Sequence, residues 1–211
     1  MGKYLAPMTE NLRKSVGNVV YYMKGGETYV RSKAAQYKDA GTEKQLKQRA
    51  AFRLLIQMSQ ALVDATRVGF PQRPGTQTHS NAFVQANKAA VTVEENLEAS
   101  MKLNDLLVAK GNLFPPAVTV TYTSDGKTFT LSQGQGEVIG GNPDDQVFAV
   151  FLETVANQSV VVPLKTREES GIGSFTLPEW WDADQCHVYA FALSADRKRA
   201  SNSVYLNITR E

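Results

Sequence analysis

The sequence predicts an α+β protein, with an N-terminal β-hairpin arm and helices followed by an antiparallel immunoglobulin-like β-sandwich. Two runs rich in β-branched and aromatic residues flank a glycine turn near the N-terminus, and a long helical pattern follows them. Short alternating runs separated by polar turns fill the last part of the chain. We place an extended basic arm at 1–41, a helical segment at 42–114 and the sandwich at 115–211.

The arm contains two runs with the composition of strands, at residues 16–22 and 27–32. The Lys-Gly-Gly sequence at 24–26 supplies the residues of a tight turn, so the two runs predict a β-hairpin. An isolated hairpin is only marginally stable in water. We therefore expect the arm to pack on the rest of the chain or on a neighbouring molecule.

A long helix is predicted to begin at Thr42, which forms a capping-box pattern with Gln45. Apolar residues then recur at spacings of three, four and seven up to about Val68, with no proline or glycine between them. They are Leu46, Phe52, Leu55, Ile56, Leu62 and Val63, flanked by Leu54, Met58 and Ala61. The pattern predicts one helix with a wide buried face, which Gly69 and Pro71 end.

Two shorter helices are expected after this one, over residues 80–91 and 94–109. Beyond Pro116 the apolar period changes to two, as Val118 and Val120 alternate with threonines. Further strand candidates lie at 128–132, 146–155, 159–165, 173–177, 187–193 and 203–208. Regularly spaced short strands of this kind predict an antiparallel sandwich, and only its architecture, because the Cys–Trp–Cys signature of antibody domains is absent.

The charge of the chain is unevenly distributed along its length. Residues 1–75 contain 13 basic and 5 acidic residues, whereas residues 76–211 contain 10 basic and 16 acidic residues. Such asymmetry indicates a basic segment that meets an acidic partner. The partner types that fit are nucleic acid, an acidic protein surface and the acidic part of another copy of the chain.

Composition and N-terminal sequence indicate a soluble protein. The first residues lack the apolar run of a secretory signal, and no stretch approaches the about 18 consecutive apolar residues of a membrane span. Cys186 is the one cysteine, so no intrachain disulfide can form. We expect a cytoplasmic location without a signal peptide, or the virion if the gene belongs to a phage.

Candidate catalytic groups are few, and we expect no enzyme activity. His79 falls in a polar loop, and Cys186 and His187 are neighbours on a predicted strand, where their side chains point to opposite faces. A nucleophile pair needs both groups on one side. No catalytic or phosphate-binding motif with the right context is present.

Metal and cofactor sites are not expected either. The acidic pairs at 144–145 and at Asp182 and Asp184 supply oxygen ligands, but no set complete enough for Ca²⁺ is visible. The glycines at 134–141 fall in a loop of the predicted β-domain rather than between a strand and a helix. We expect solvated turn residues at both places.

The basic arm and the start of the helix form the main candidate interaction surface. Tyrosines alternate there with lysines and arginines, a combination that suits a protein interface and also a nucleic-acid backbone with stacked bases. The arm contributes Lys3, Arg13, Lys14, Lys24, Arg31, Lys33 and Lys38 with Tyr4, Tyr21, Tyr22, Tyr29 and Tyr37, and the helix adds Lys44, Lys47, Arg49 and Arg53. The predicted interface anchors are Tyr21, Tyr22, Tyr29, Arg31, Lys33, Arg49 and Arg53. A merely solvated face is the alternative interpretation.

The tryptophan pair Trp180 and Trp181 is a second candidate binding surface. Exposed at an edge of the sandwich, the two rings would suit a glycan or a partner protein. The competing interpretation is that at least one ring fills the core.

Several motifs together resemble an uncharacterised family of about 200-residue proteins from Bacteroidetes bacteria and their phages, a domain of unknown function. The motifs are Gly17-Asn18-Val19-Val20, Tyr29-Val30-Arg31-Ser32-Lys33, Thr42-x-x-Gln45-x-x-Gln48-Arg49-x-x-Phe52, Gly69-Phe70, Val188-Tyr189 and Ser201-Asn202-Ser203-Val204-Tyr205. The resemblance covers most of the chain and implies a basic arm and helix joined to a C-terminal sandwich. It implies no activity.

Our first hypothesis is a non-enzymatic structural protein, a phage virion component of the portal-proximal ring, collar or tail region. Its partners would be other protein subunits, in a homo-oligomer or a mixed assembly. The second hypothesis is an immunoglobulin-like binding module that recognises a glycan or a surface protein through Trp180, Trp181 and the sandwich loops. A nucleic-acid binder that uses the arm is a third, weaker hypothesis.

Overall fold

The computed structural model describes residues 2–3, 14–34, 39–134 and 141–210. The chain divides into two compact units, Met1–Thr42 and Glu43–Glu211. Of the predicted basic arm, Tyr4, Arg13, Tyr37 and Lys38 lie outside the described residues.

The first unit is a four-stranded antiparallel sheet. Its strands are β1 (Gly2–Lys3), β2 (Lys14–Val16), β3 (Val19–Lys24) and β4 (Glu27–Ser32), in the order β1-β4-β3-β2. The predicted hairpin is confirmed as β3–β4, closed at the pair Lys24–Glu27. Gly25 and Gly26 both have positive φ angles, 61° and 83°, which a two-residue hairpin turn of this hand requires. The structure adds β1 and β2 on either side of the hairpin.

The second unit begins with three helices, of which the first two were predicted as one. They are α1 (Glu43–Ala61), α2 (Val63–Gly69) and α3 (His79–Asn87). The single helix predicted from Thr42 to Val68 is wrong in one respect, because the helix is interrupted at Leu62. At this break the Ser159 hydroxyl donates a hydrogen bond of 2.6 Å to the Ala61 carbonyl. A side chain that inserts into the ladder of helix hydrogen bonds is a known cause of a kink.

The wide buried face predicted for α1 is only partly present. Leu55 and Met58 are buried, as is Leu62 at the break, whereas Leu46 and Phe52 are exposed. Helical periodicity indicated which residues share a face. It could not indicate over what length of the helix other parts of the protein bury that face. The first half of α1 therefore presents apolar side chains to solvent.

The helix predicted over 94–109 is wrong, and that over 80–91 is too long. After α3 the chain forms a short hairpin of β5 (Val91–Val93) and β6 (Ala99–Met101). Leu97 has a φ of 67°, and the Glu94 amide donates to the Glu98 carbonyl across 3.0 Å, so the chain reverses here instead of coiling. Tertiary contacts of the hairpin with α1 outweigh the helical propensity of these residues.

The remainder of the second unit is a sandwich of two four-stranded sheets. Its strands are β7 (Val118–Thr123), β8 (Thr128–Gln133), β9 (Gln146–Glu153), β10 (Gln158–Thr166), β11 (Gly171–Thr176), β12 (Cys186–Leu193), β13 (Val204–Leu206) and β14 (Ile208–Arg210). One sheet has the order β10-β9-β12-β13 and the other β11-β8-β7-β14. Every pairing is antiparallel except that of β14 with β7. The α+β class and the sandwich are confirmed, and the immunoglobulin-like assignment stays a prediction.

Two hydrophobic cores lie on the two faces of the β10-β9-β12-β13 sheet. Between the sheets, Phe151 and Val188 pack with Phe129 of β8. On the opposite face, Leu152 and Tyr189 pack with the helices. The second unit therefore has three layers, helices on a sheet on a sheet, and its helices share a core with the sandwich.

Candidate interaction surfaces

The N-terminal sheet contains no buried side chain among residues 14–34, the part of its strands and turns for which side chains are described. Cross-strand partners share a face, and successive residues alternate between faces. One face therefore holds Val19 and Met23 of β3, with Tyr21 between them, and Val30 of β4 and Val16 of β2 opposite. We call this set the apolar face.

The other face of this sheet is aromatic and charged. Tyr22 and Tyr29 are paired there, with ring centroids 5.7 Å apart and planes inclined by 21°. The Tyr29 hydroxyl donates to the Glu27 carboxylate at 3.1 Å, and Arg31 pairs with Val20 on the same face. We call this set the tyrosine face.

The predicted anchors of the arm thus divide between two faces. Tyr21 lies on the apolar face, whereas Tyr22, Tyr29 and Arg31 lie on the tyrosine face. Lys33 follows β4, and its backbone amide donates to the Asn18 carbonyl at 2.7 Å. The separation follows from strand alternation and is already encoded in the spacing of the residues.

The remaining predicted anchors, Arg49 and Arg53, belong to the second unit and line a groove between α1 and α3. The groove has a volume of about 1030 Å³, and Phe52 stands in its wall with 54% of its surface exposed. Lys88 contributes a third cation, and no carboxylate is among the lining residues described. The sequence predicted the two arginines as interface residues. It could not predict the groove, because the groove arises from the packing of α3 against α1.

The two tryptophans have different environments. Trp181 is 4% exposed and packs in the inter-sheet core, with its ring 6.1 Å from that of Phe175. Trp180 is 72% exposed. The expectation that at least one ring fills the core is confirmed by Trp181, and only Trp180 offers its ring to a ligand.

Cys186 and His187 lie on opposite faces of β12, as their adjacency requires. The thiol is buried between the sheets, and this burial, with the nearby Glu153 and Asp182 carboxylates, raises its pKa to about 12. The His187 ring lies 3.1 Å, Nδ1 to hydroxyl, from Tyr205, and burial lowers its pKa. The two groups are not brought together as a nucleophile and a base.

Three of the four acidic residues considered as metal ligands have structural partners. Asp145 is buried beside Arg167, Asp182 accepts the Asp184 amide at 2.9 Å, and Asp184 pairs with Arg210. Within the described ranges, no group of three or more histidine, cysteine or acidic side chains is arranged to hold a metal ion. None of the helices described has both the length and the apolar character needed to cross a membrane.

Several residues in the motifs quoted above meet at one segment, residues 106–112, which joins the helical layer to the sandwich. The Ser203 hydroxyl accepts the Val108 amide at 2.9 Å, and the Asn202 side chain accepts the Gly111 amide at 3.2 Å. From the helical side, the Gly69 carbonyl accepts the Lys110 amide at 2.9 Å. These motif residues therefore connect the helical layer to the sandwich.

Comparison with known proteins gives one match. A family model described as "Family of unknown function (DUF6266)" matches residues 10–207. No curated protein and no solved structure matches the chain.

Proposed function

Since the chain belongs to the DUF6266 family, whose function is unknown, we propose its function from its own surfaces. It is a non-enzymatic assembly protein that docks on other subunits through its N-terminal sheet and the exposed half of α1. One observation supports this most: a four-stranded sheet in which no described side chain is buried.

A sheet of this kind gains little free energy from its own burial. Each apolar side chain moved from water into an interface stabilises the complex by about 1.5–3 kcal/mol if fully covered. The apolar face offers three valines, Met23 and Tyr21 for such burial, and the polar residues Lys14, Thr28 and Ser32 share this side of the sheet. Docking on another subunit would therefore order the sheet and hold the assembly together.

The partner that the charges favour is a second copy of the chain. The first 75 residues carry eight more basic than acidic residues, and the rest carry six more acidic than basic residues. A head-to-tail contact between the basic part of one copy and the acidic part of the next closes into a ring when the rotation allows it. Within this proposal, the ring would be a portal-proximal ring, collar or tail component of a phage virion.

The experiment is light scattering coupled to size-exclusion chromatography, at low and at high salt. Wild-type protein is expected to form a defined oligomer that salt weakens. Val16→Lys, on the apolar face of an edge strand, should shift the protein to monomer.

The matched control is Ile172→Lys, on the edge strand β11 of the sandwich. Val16 and Ile172 are both β-branched, and they are exposed by 61% and 76% respectively. The control introduces the same charge and should weaken the oligomer much less than Val16→Lys does. A wild-type protein that stays monomeric at every concentration, with its N-terminal sheet protected from hydrogen exchange, would contradict the proposal.

A second candidate function rests on the exposed Trp180 ring. In this alternative the chain is a binding module that recognises a glycan or a surface protein through Trp180 and the adjacent loops, while Trp181 supports the site from the core. Binding on a glycan array that Trp180→Ala abolishes, with unchanged thermal stability, would favour this function over assembly.

A further inference from the structure

A cationic pocket lies between the end of the helical layer and the turn that connects β12 to β13. Arg67 and Arg73 line it from one side and Arg197 and Lys198 from the other, around Val68 and Phe148. Its volume is about 450 Å³. We call it the arginine pocket. It contains none of the residues assigned above to assembly or to glycan binding.

On the helical side of the pocket, hydrogen bonds fix Arg73, while Arg67 has one exposed ion pair. Arg73 donates from Nη1 to the Phe70 carbonyl at 2.7 Å and from Nε to the Gln77 carbonyl at 3.0 Å, which fixes its guanidinium at the rim. Arg67 shares one exposed contact with Asp64, 3.2 Å from Nη1. An exposed pair of this kind is weak and leaves most of the Arg67 donors available.

The opposite side of the pocket is a compact turn that projects Arg197 and Lys198. The Asp196 carboxylate accepts the Ser194 hydroxyl at 2.6 Å and the Lys198 amide at 3.1 Å, so it is used within the turn. In the described part of the chain the side chains of Arg197 and Lys198 form no ion pair. Arg197 also has a φ of 57°, a left-handed conformation that is uncommon for a residue with a Cβ.

The electrostatic effect of this cluster is visible at a neighbouring side chain. The pKa of His79 lies below its ordinary value, first because the ring is partly buried and then because Arg67 and Arg73 repel a further positive charge. Four cations line the pocket, against two nearby carboxylates, those of Asp64 and Asp196, so positive charge is in excess there.

We propose that the arginine pocket binds a nucleotide phosphate, from a free nucleotide or from the end of a nucleic-acid strand. A guanidinium group can donate two parallel hydrogen bonds to a phosphate group. Four cations together suit a ligand with at least two negative charges. Phe148 lines the pocket, is half-buried and stacks on Phe191 with the ring centroids 5.4 Å apart. The stacking holds the Phe148 ring in place, so that a base can pack against it. The volume is within the range of pockets that hold small ligands, about 300–1,000 Å³.

The test is isothermal titration calorimetry of the full chain with ATP, inorganic pyrophosphate, adenosine and a short 5′-phosphorylated oligothymidine. ATP or the oligonucleotide should bind, with an affinity that falls as salt rises. Pyrophosphate should bind more weakly, because it has no base to contact Phe148, and adenosine should not bind. Preference for ATP over the oligonucleotide identifies a free nucleotide as the source of the phosphate, and the reverse preference identifies a strand.

Two variants separate the charge from the fold. Arg197→Gly removes a guanidinium while glycine adopts the positive φ readily, so the turn should be retained. Combined with Lys198→Ala, it should weaken nucleotide binding by about tenfold or more. The control Lys102→Ala with Lys127→Ala removes two exposed cations elsewhere in the same unit and should change binding less than about twofold.

Three results would overturn the proposal. They are no binding of ATP or of the oligonucleotide by wild-type protein, undiminished binding by the Arg197→Gly, Lys198→Ala variant, and equal affinity for ATP and pyrophosphate. Binding of poly-glutamate in the absence of nucleotide binding would also overturn it, since the pocket would then recognise carboxylates. Circular dichroism of each variant confirms that loss of binding is not loss of structure.

Discussion

The guanidinium of Arg167 lies 3.5 Å, Nε to Oδ2, from the carboxylate of Asp145, and both side chains are almost completely buried. The Arg167 side chain also donates to the Phe114 carbonyl at 2.8 Å. The Asp145 carboxylate in turn accepts the Asn142 amide at 2.9 Å. The pair thus ties the start of β9 to the end of β10 and to the linker that precedes the sandwich.

Breaking this pair is expected to destabilise the second unit strongly. Asp145→Asn keeps the size of the side chain but leaves the Arg167 charge buried without its counter-charge, which costs about 3–5 kcal/mol. Urea unfolding followed by circular dichroism measures the change in the free energy of unfolding. The control is Glu169→Gln, which removes the exposed partner of Lys165 at 3.6 Å and should cost less than about 1 kcal/mol. Equal effects of the two substitutions would contradict a structural role for the buried pair.

Gly69 is expected to tolerate no side chain. A Cβ at this position would lie 2.6 Å from the Val108 carbonyl oxygen and 2.7 Å from the Ala109 Cβ, and a backbone group cannot easily move away. Gly69→Ala should therefore lower the free energy of unfolding by about 1–3 kcal/mol. Gly75→Ala is the control, because a Cβ there would meet nothing within 4 Å and the φ of Gly75 is not positive. A near-neutral Gly69→Ala in thermal unfolding would show that the helical layer can shift away from the 106–112 segment.

Much of this fold follows from residue patterns that act locally. The hairpin at Gly25 and Gly26 and the alternating strand β7 were predicted because turn chemistry and a period of two depend only on neighbouring residues. The third layer was missed, although the sequence contained a signal for it. In β9 and β12 the apolar residues run almost continuously, which indicates strands buried on both faces.

The predictions that failed concern regions whose structure depends on contacts between residues far apart in the sequence. Residues 94–109 favour a helix locally, and the reversal at Leu97 requires the packing surface that α1 provides. The arginine pocket joins Arg73 to Arg197, which are far apart in the sequence, so no spacing rule could place them together. The anchors of the hairpin, by contrast, could be divided between two faces from alternation alone.

Truncation of the two adjacent tryptophans is expected to change the free energy of unfolding by very different amounts. Trp181→Ala removes a ring from the inter-sheet core and should cost about 3–5 kcal/mol in the free energy of unfolding. Trp180→Ala removes an exposed ring and should change stability by less than about 0.5 kcal/mol. The pair is internally matched, since both indole nitrogens donate to the Gln158 side chain, at 3.4 Å and 3.1 Å. Similar losses from the two variants in urea unfolding would contradict the assignment of Trp181 alone to the core.

Cys186 is expected to be chemically inert in the folded protein. Its pKa is raised to about 12, mainly by burial, whereas an unfolded cysteine titrates near its ordinary value of 9.0. Because the thiolate is the reactive form, Ellman's reagent at about pH 8 should label the thiol only after addition of denaturant. The raised pKa also makes the free energy of unfolding depend on pH. The contribution of the Cys186 thiol to stability is complete below about pH 9 and is lost as the pH rises towards 12, because the unfolded chain releases the proton first. Rapid labelling of the native protein at about pH 8 would show that the two sheets separate readily around β12.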